Sequence, residues 1–377
     1  MYHSPRNVER SGAQSSKSCG VKEFQDLRTL EGLYQRNAAG LDWKSAGETG
    51  QSMVLIALLM VGLIAMLGLV IDGGNAYVQR RRMQNAADAA ALAGTRTLGM
   101  RSDKSAQMEC AIRQSIETYT QLNGTPGPSP DPTCRSLNPT VQAYFIDKTG
   151  APVGVEIGRN GGVPSPAVGV SVRTQISFPT FFLGVVNESL GSAAAGAAAM
   201  EGPAGSVVGL VPWALNWDAA SAPLGERVSL GSSAGSGGTY NYESINTDQE
   251  GLGNFHDAMC AGIRQGVAIS PRRYHAVLSP KFTPDERDCL QQRLYARPGE
   301  TWDRFASDSP RVMLLPVLDG TAGEKYVNVK AFRAFFLEAV DVRNSLAIGR
   351  FVRLIVSHAT LDFSAPNTGV WVVKLTR

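Results

Sequence analysis

The 377-residue sequence has few of the side chains on which most enzymes and nucleic-acid-binding proteins depend. It contains four histidines and five cysteines, and charged residues make up 18% of it, with a net charge of +3. This charge is too small, and its basic residues are too scattered, for a nucleic-acid-binding surface. No histidine pair has i, i+4 spacing, and no G-x-x-x-x-G-K-[ST] phosphate loop occurs. The sequence therefore predicts no nucleic acid, no cofactor and no metal.

The few cysteines divide unevenly along the chain. Cys19 precedes the longest apolar run, and the other four follow it without forming a Cys-x-x-Cys pair. An oxidising exterior and a reducing cytosol would produce such a division. Sequence adjacency favours two disulfides among three connectivities, Cys110–Cys134 and Cys260–Cys289, and four free buried thiols are the alternative.

The longest apolar run covers residues 53–71 (MVLIALLMVGLIAMLGLVI) and contains no charged side chain. As a helix it would be about 28 Å long, close to the hydrocarbon thickness of a bilayer. An amphipathic helix of a soluble protein would carry a polar residue every third or fourth position. A buried core helix is the alternative, but we expect a single membrane span surrounded by lipid.

The helix is expected to continue beyond Asp72 and Gly73-Gly74, because residues 75–95 are rich in Ala, Gln, Arg and Met. Small residues recur on one helical face both inside the span and beyond it. Such faces let a second backbone approach closely in lipid, although alanine is also simply common in helices. The predicted helix-packing interface consists of Ala65, Gly68, Asp72, Ala86 and Ala90.

Residues 47–95 resemble the N-terminal module of TadE/TadG-like Flp pilus-assembly proteins. The shared features are Gly50-Gln51, Asp72-Gly73-Gly74, Tyr77, Arg81 and the run from Gln84 to Ala91. The resemblance implies a single-span protein whose partners are pilus or secretion-apparatus proteins or a second copy of itself. Some relatives resemble prepilins, which are cut after a glycine and carry Glu at the fifth position of the mature chain. Counted from Gly50, that position is Leu55 here, so the sequence departs from the pattern that a prepilin peptidase recognises.

Two signals conflict over the orientation of the span. Arg80, Arg81 and Arg82 follow it closely, where lipid headgroups are their expected neighbours. The positive-inside rule therefore places the C-terminal side in the cytosol. The cysteine division and the family resemblance favour the opposite side, and long domains can be exported despite flanking charge. We expect a single-pass protein of the cell membrane with extracytoplasmic C-terminal domains.

The remaining chain suggests four regions. Residues 1–46 are polar and mixed in charge and are expected to be a disordered cytoplasmic tail, with a short amphipathic helix over residues 23–36 as the alternative. They are not a signal peptide, because the apolar run is too long and too late. Residues 47–100 form the span and its extension. Residues 101–203 read as a pilin-like α+β domain, with a helix over 103–122 and strands over 141–146, 153–157 and 168–176. Residues 204–377 form a second domain.

Two segments determine the boundary between these last regions. Propensity favours a helix for the alanine-rich residues 192–200, whereas the family resemblance implies a strand, which we adopt. The segment Gly202–Ser206 is typical of a linker.

Beyond this linker, Thr283-Pro284-Asp285-Glu286 is a capping box that predicts a helix. Strands are predicted over residues 311–318, 326–332, 351–360 and 370–375, so the second domain is also α+β and rich in sheet.

One stretch matches a catalytic motif. Residues 231–235 fit the G-x-S-x-G nucleophile elbow around Ser233, with Asp319 and His358 following in the order of an α/β-hydrolase. The elbow needs a helix directly after the serine, and Ser236-Gly237-Gly238 does not favour one. In a loop this rich in Gly and Ser the match is expected to be coincidental, and we predict no enzyme.

These observations predict an α+β protein whose single transmembrane helix extends into a pilin-like domain of helix and antiparallel sheet, followed by a second sheet-rich domain. Its expected role is that of an accessory or minor component of a Flp/Tad-type pilus or secretion apparatus, acting through helix packing and domain contacts. A membrane-anchored surface hydrolase using Ser233 and a surface adhesin without a pilus partner are the alternatives.

Overall fold

The computed structural model describes residues 51–100, 104–159, 161–186, 189–231, 239–269, 273–277, 281–319 and 325–376. The protein is α+β, with one long N-terminal helix followed by a sheet-rich region. It divides into two units, residues 1–64 and residues 65–377. The architecture described below is that of the second unit, apart from the first turns of the long helix.

Two helices open the described chain. Helix α1 covers Gln51–Met100 and runs without interruption through Gly73 and Gly74, so the predicted extension is confirmed. Helix α2 covers Ala106–Leu122. It begins where the Ser105 side chain accepts a hydrogen bond from the Met108 N–H, which is the usual chemistry of an N-cap.

An eight-stranded sheet follows, in which the main strands run in the order β2-β1-β3-β4-β15-β13. Its antiparallel core consists of β1 (Val141–Ile146), β2 (Pro152–Glu156), β3 (Gly169–Pro179) and β4 (Leu190–Val207). Four short or C-terminal strands complete it: β8 (Val267–Ala268), β13 (Leu354–Val356), β14 (Ala359–Leu361) and β15 (Val370–Thr376). The last strand of the chain therefore lies in the first sheet.

Strand β4 decides two of the sequence predictions. The strand expected for residues 192–200 is confirmed, but it continues through Gly202–Ser206, and the linker interpretation of that segment is wrong. Strand β15 pairs with β4 from Ala198 to Pro203, and β14 pairs with it further on. These partners supply the hydrogen bonds that keep a Gly- and Pro-containing segment extended. The predicted domain boundary at residue 204 therefore falls inside a strand.

The second sheet closes into a barrel. Its order is β10-β5-β7-β6-β12-β11, and β10 also pairs with β11, while β9 pairs with both β11 and β7. The strands are β5 (Trp213–Leu215), β6 (Arg227–Gly231), β7 (Thr239–Ile245), β9 (Arg273–Val277), β10 (Val312–Asp319), β11 (Tyr326–Asp341) and β12 (Leu346–Val352). Alternate residues of β10 and β11 contribute to two separate cores, as the period of a strand requires.

Three further helices pack on this barrel: α3 (Trp217–Ala220), α4 (Phe255–Ala261) and α5 (Pro284–Ala296). The capping box predicted for α5 is confirmed, with Thr283 and Glu286 bonding each other's backbone. Glu286 also accepts a 2.7 Å hydrogen bond from the indole N–H of Trp213. The same carboxylate thus begins the helix and fixes it to the barrel interior.

Candidate functional site on the long helix

The N-terminal half of α1 exposes almost all of its apolar side chains. From Met53 to Ile71 the large side chains are 47–76% exposed, and within this stretch only Gly68 is buried. A soluble protein rarely presents so large a contiguous apolar surface. Among the described residues, one helix is long and apolar enough to cross a membrane, and it is α1.

The C-terminal half of α1 is instead packed against the first sheet. Ala90 and Ala91 lie in one core with Ile112 and Ile116 of α2 and with residues of β1 and β3. Ala86 and Ala90 are fully buried. The Thr95 hydroxyl donates to the carbonyl of Ala199 in β4. The alanines of β4 and those of α1 face one another, and their small side chains let helix and strand approach closely.

The predicted helix-packing interface is therefore divided between different surroundings. Ala86 and Ala90 contact this chain's own domain, although the sequence suggested a second helix in lipid as their neighbour. Ala65 is exposed. Gly68 is covered by Phe182, since a Cβ placed on Gly68 would lie 2.6 Å from the Phe182 Cβ. Of these four small residues, Ala65 alone is open to a partner in the described structure.

Asp72, the fifth predicted interface residue, is buried and binds the loop between β3 and β4. Its carboxylate accepts backbone N–H bonds from Phe181 at 2.7 Å, Phe182 at 2.9 Å and Leu183 at 2.7 Å. The three donors precede or begin a short 3-10 helix, Leu183–Val186. The sequence pattern placed Asp72 at the end of the span and on the helix-packing face, and it did not predict the contact with this loop. The signal that was available is the apolar character of residues 181–186.

The basic cluster after the apolar stretch of α1 is exposed. Arg80, Arg81 and Arg82 are all exposed on α1. They follow Asp72 by eight to ten residues, which places them about 12–15 Å further along the helix axis. Guanidinium groups at this height suit anionic headgroups.

The four cysteines after the span lie in two pairs. Cys110 in α2 and Cys134 have Cα atoms 5.7 Å apart, and Cys260 in α4 and Cys289 in α5 have Cα atoms 4.7 Å apart. Both separations suit a disulfide. The pairs are those expected from sequence adjacency, and each joins segments within one packed region.

His256 lies beside the second pair. Its Nε2 is 3.8 Å from the Sγ of Cys260, and its Nδ1 is 4.0 Å from the Sγ of Cys289. Such a set resembles a metal-binding cluster. Sulfurs joined to each other are not thiolates, so they are poor metal ligands in this form. The Nδ1 atom is also 3.2 Å from the carboxylate of Asp285.

Of the residues proposed for hydrolysis, the two that the structure describes, Asp319 and His358, are not brought together. Ser233 lies outside the described residues. Asp319 ends strand β10 in the barrel and pairs with Lys330 at 3.1 Å, whereas His358 follows β13 of the other sheet and contacts Ser357. In the part of the chain that the structure describes, no hydrogen bond joins Asp319 to His358.

A buried carboxyl with a strongly raised pKa lies near the end of α1. Glu201 on β4 is 7% exposed, and its Oε2 has no hydrogen-bond partner among the described residues. Burial raises the pKa of this carboxyl to about 8, and the positive charge of Arg353 acts in the opposite direction. Gly99 makes room for it, because a Cβ there would collide with the Glu201 carboxylate.

An open cavity of about 670 Å³ lies near Arg353. Its lining residues include Arg96, Arg304 and Arg353, together with Asp303 and Trp302. The cavity is thus apolar in part and carries a positive charge.

These features define a class of protein in which one helix, suited to crossing a membrane, carries an α+β region packed around its second half. Residues 50–100 match the model of the Tad family, described as TadE/G-like Flp pilus assembly. The matched range coincides with α1 almost residue for residue. That family is one of pilus-assembly proteins rather than of enzymes. No curated protein and no solved structure matches the chain.

Proposed function

We propose that this protein is a membrane-anchored accessory or minor pilin-like component of a Flp/Tad-type pilus or secretion apparatus. The observation that carries the proposal is the coincidence of the family match at residues 50–100 with α1. The matched segment is one helix with an exposed apolar half and a half buried in an α+β region. It has the organisation that a membrane-held subunit needs.

The two halves of α1 suggest how such a subunit would work. Residues 53–71 insert into the bilayer, and the alanine face that follows them on α1 packs against the first sheet. A long helix packed on an antiparallel sheet through its C-terminal half supports the comparison with pilins. Because Ala86 and Ala90 are buried within this chain, the span itself and the domain surfaces would contact the apparatus.

The sidedness of the protein follows from its cysteines in this proposal. Two pairs at disulfide distance, both after the span, favour an oxidising compartment for residues 72–377. The charge of Arg80–Arg82 favours the opposite orientation. We assign more weight to the cysteines, because long domains translocate largely regardless of flanking charge.

Deletion and affinity purification test the proposal in the native host. Deleting the gene should abolish or reduce the surface pilus, or the secretion that depends on the apparatus, and the intact gene should restore it. A tagged full-length chain, purified from detergent-solubilised membranes, should bring pilus-assembly proteins with it. As a matched control, a tagged chain with charged residues placed in 53–71 should be expressed without recovering them. Normal pili in the deletion strain and no apparatus protein in the purification would refute the proposal.

A further inference from the structure

The loop between β3 and β4 is apolar where a solvent-exposed hairpin loop is usually polar. It is closed by a 3.1 Å bond from the Thr180 N–H to the Ser189 carbonyl, and it contains the run FFLGVV over residues 181–186. Hairpin loops usually carry Gly, Asn, Asp, Ser or Pro. No charged residue occurs between Arg173 and Glu188. This composition fits a surface that does not face water.

The described apolar side chains at this loop are exposed. Phe181 is 68% exposed, Phe182 is 39% exposed, and Leu190, where β4 begins, is 66% exposed. Phe182 contacts Gly68, and the exposed parts of all three side chains face away from the packed core. An isolated exposed apolar residue needs no explanation, but three of them beside a longer apolar surface do.

The loop is held at the height where the apolar stretch of α1 ends. Asp72, the first polar residue after the run, fixes the backbone of residues 181–183 through three N–H bonds. Phe182 reaches back to Gly68, which lies about 6 Å before Asp72 along the helix axis. The ring of Phe182 is therefore beside a residue inside the apolar stretch.

The exposed surface of the loop is also continuous with that of the helix. Leu67 and Leu69, which flank Gly68 on the helix, are 61% and 62% exposed. If lipid surrounds Leu67 and Leu69, the same lipid surrounds a loop that reaches the level of Gly68. An interfacial segment typically buries its apolar side chains about 5–10 Å into the boundary between headgroups and acyl chains, which matches this height.

We infer that the β3–β4 loop is a second membrane contact, in which Phe181, Phe182 and Leu190 enter the bilayer surface beside the span. The occupant of this surface is lipid, and Asp72 is the positioning residue that holds the loop there. Two points of contact would fix the tilt and rotation of the domain on the membrane. This inference rests on the insertion of α1 that the proposed function requires.

Nitroxide accessibility of the full-length protein in phospholipid vesicles tests this inference. In a Cys19→Ser background with the other cysteines left oxidised, the label is attached at Phe181→Cys. Leu67→Cys, on the exposed side of α1 next to Gly68, is the lipid reference. Tyr295→Cys, 72% exposed on α5, is the water reference. Collision with oxygen reports lipid, and collision with a water-soluble nickel chelate reports water.

The label at residue 181 should resemble that at residue 67, with high oxygen and low nickel accessibility. If it resembles residue 295 while residue 67 remains in lipid, the loop inference is overturned and the span is unaffected. An immobilised label protected from both reagents would mean that protein covers the loop, which also overturns the inference. Nickel accessibility at residue 67 itself would show that α1 is not inserted. That result would contradict the proposed function and, with it, the loop inference that rests on it.

Discussion

The carboxylate of Asp72 connects the helix to the loop of its own domain. A charged group at the edge of the hydrocarbon region is costly unless its hydrogen bonds are satisfied. Three backbone N–H groups, themselves near the start of a 3-10 helix, satisfy this carboxylate. The apolar pattern of the sequence ends at Asp72, and the structure shows what its side chain does there.

Replacing Asp72 with Asn should loosen the loop. An amide has one acceptor oxygen, and its NH₂ group would meet an N–H donor, so at least one of the three bonds is lost at a cost of about 1–3 kcal/mol. The expected result is a more mobile nitroxide at residue 181 and a lower thermal midpoint of the detergent-solubilised protein. The control is Asp88→Asn, because Asp88 lies on the same helix and bonds only the nearby Gln84 among the described residues. Equal effects of the two substitutions would contradict the positioning role of Asp72.

Glu201 should make the stability of the protein depend on pH. Burial raises the pKa of the carboxyl to about 8 in the folded state, whereas an exposed glutamate carboxyl has a pKa of about 4.5. The folded state therefore binds this proton more tightly, so the contribution is fully present below about pH 4.5 and is lost as the pH rises through about 8. Glu201→Gln, which cannot ionise, should have a higher thermal midpoint than the parent at pH 9 and a similar one at pH 4.5. A constant difference across this range would contradict the buried-acid interpretation.

At the scale of elements, the alanine face of α1 determines how closely helix and sheet pack. Ala90→Leu inserts three carbons into a fully buried position, and such overpacking costs about 1–3 kcal/mol. We expect a fall of several degrees in the thermal midpoint. Asn85→Leu, at an exposed position of the same helix, should leave it nearly unchanged. If Ala90→Leu is neutral for stability but abolishes association with another protein, the face serves a partner rather than this sheet.

The cysteine pairs belong to the same scale, because each joins two neighbouring elements. Peptide mapping without reduction should recover Cys110 linked to Cys134 and Cys260 linked to Cys289. The closed loops have sequence separations of 24 and 29 residues, and each bond is expected to stabilise the fold by about 3–4 kcal/mol in the chain-entropy model. Free thiols throughout, or a linkage between the two pairs, would contradict both this connectivity and the argument from it for an oxidising compartment.

Elements encoded by neighbouring residues were predictable from the sequence, and those that depend on distant partners were not. The capping box of α5 and the continuous helix α1 are local, and both are confirmed. The extended conformation of Gly202–Ser206 depends on β14 and β15, whose residues lie more than 150 positions further along the chain. No local signal in a Gly- and Pro-containing segment reveals such a partner.

The candidate site was predictable in the same limited sense. Spacing identified the small face of α1, including Gly68 and Ala90, because periodicity is a property of the sequence alone. Which surface covers that face depends on tertiary packing, and the structure supplies Phe182 for Gly68 and the first sheet for Ala90. The closure of the second sheet into a barrel was likewise hidden, since it requires β10 to pair with β5 and β11 together.

For the whole molecule, the central claim is that α1 holds this protein in the membrane as part of a pilus or secretion apparatus. The most direct test is photocrosslinking in native membranes from position 65, the exposed small residue of the predicted interface. Position 67 is the control. It lies two residues after position 65, which is about 200° around the helix axis, so it faces the opposite side. Crosslinking at 65, but not at 67, to an apparatus protein or to a second copy of this chain is the predicted result. If both positions yield lipid adducts alone while the protein is inserted and abundant, the helix is only an anchor and the account of its partners is contradicted.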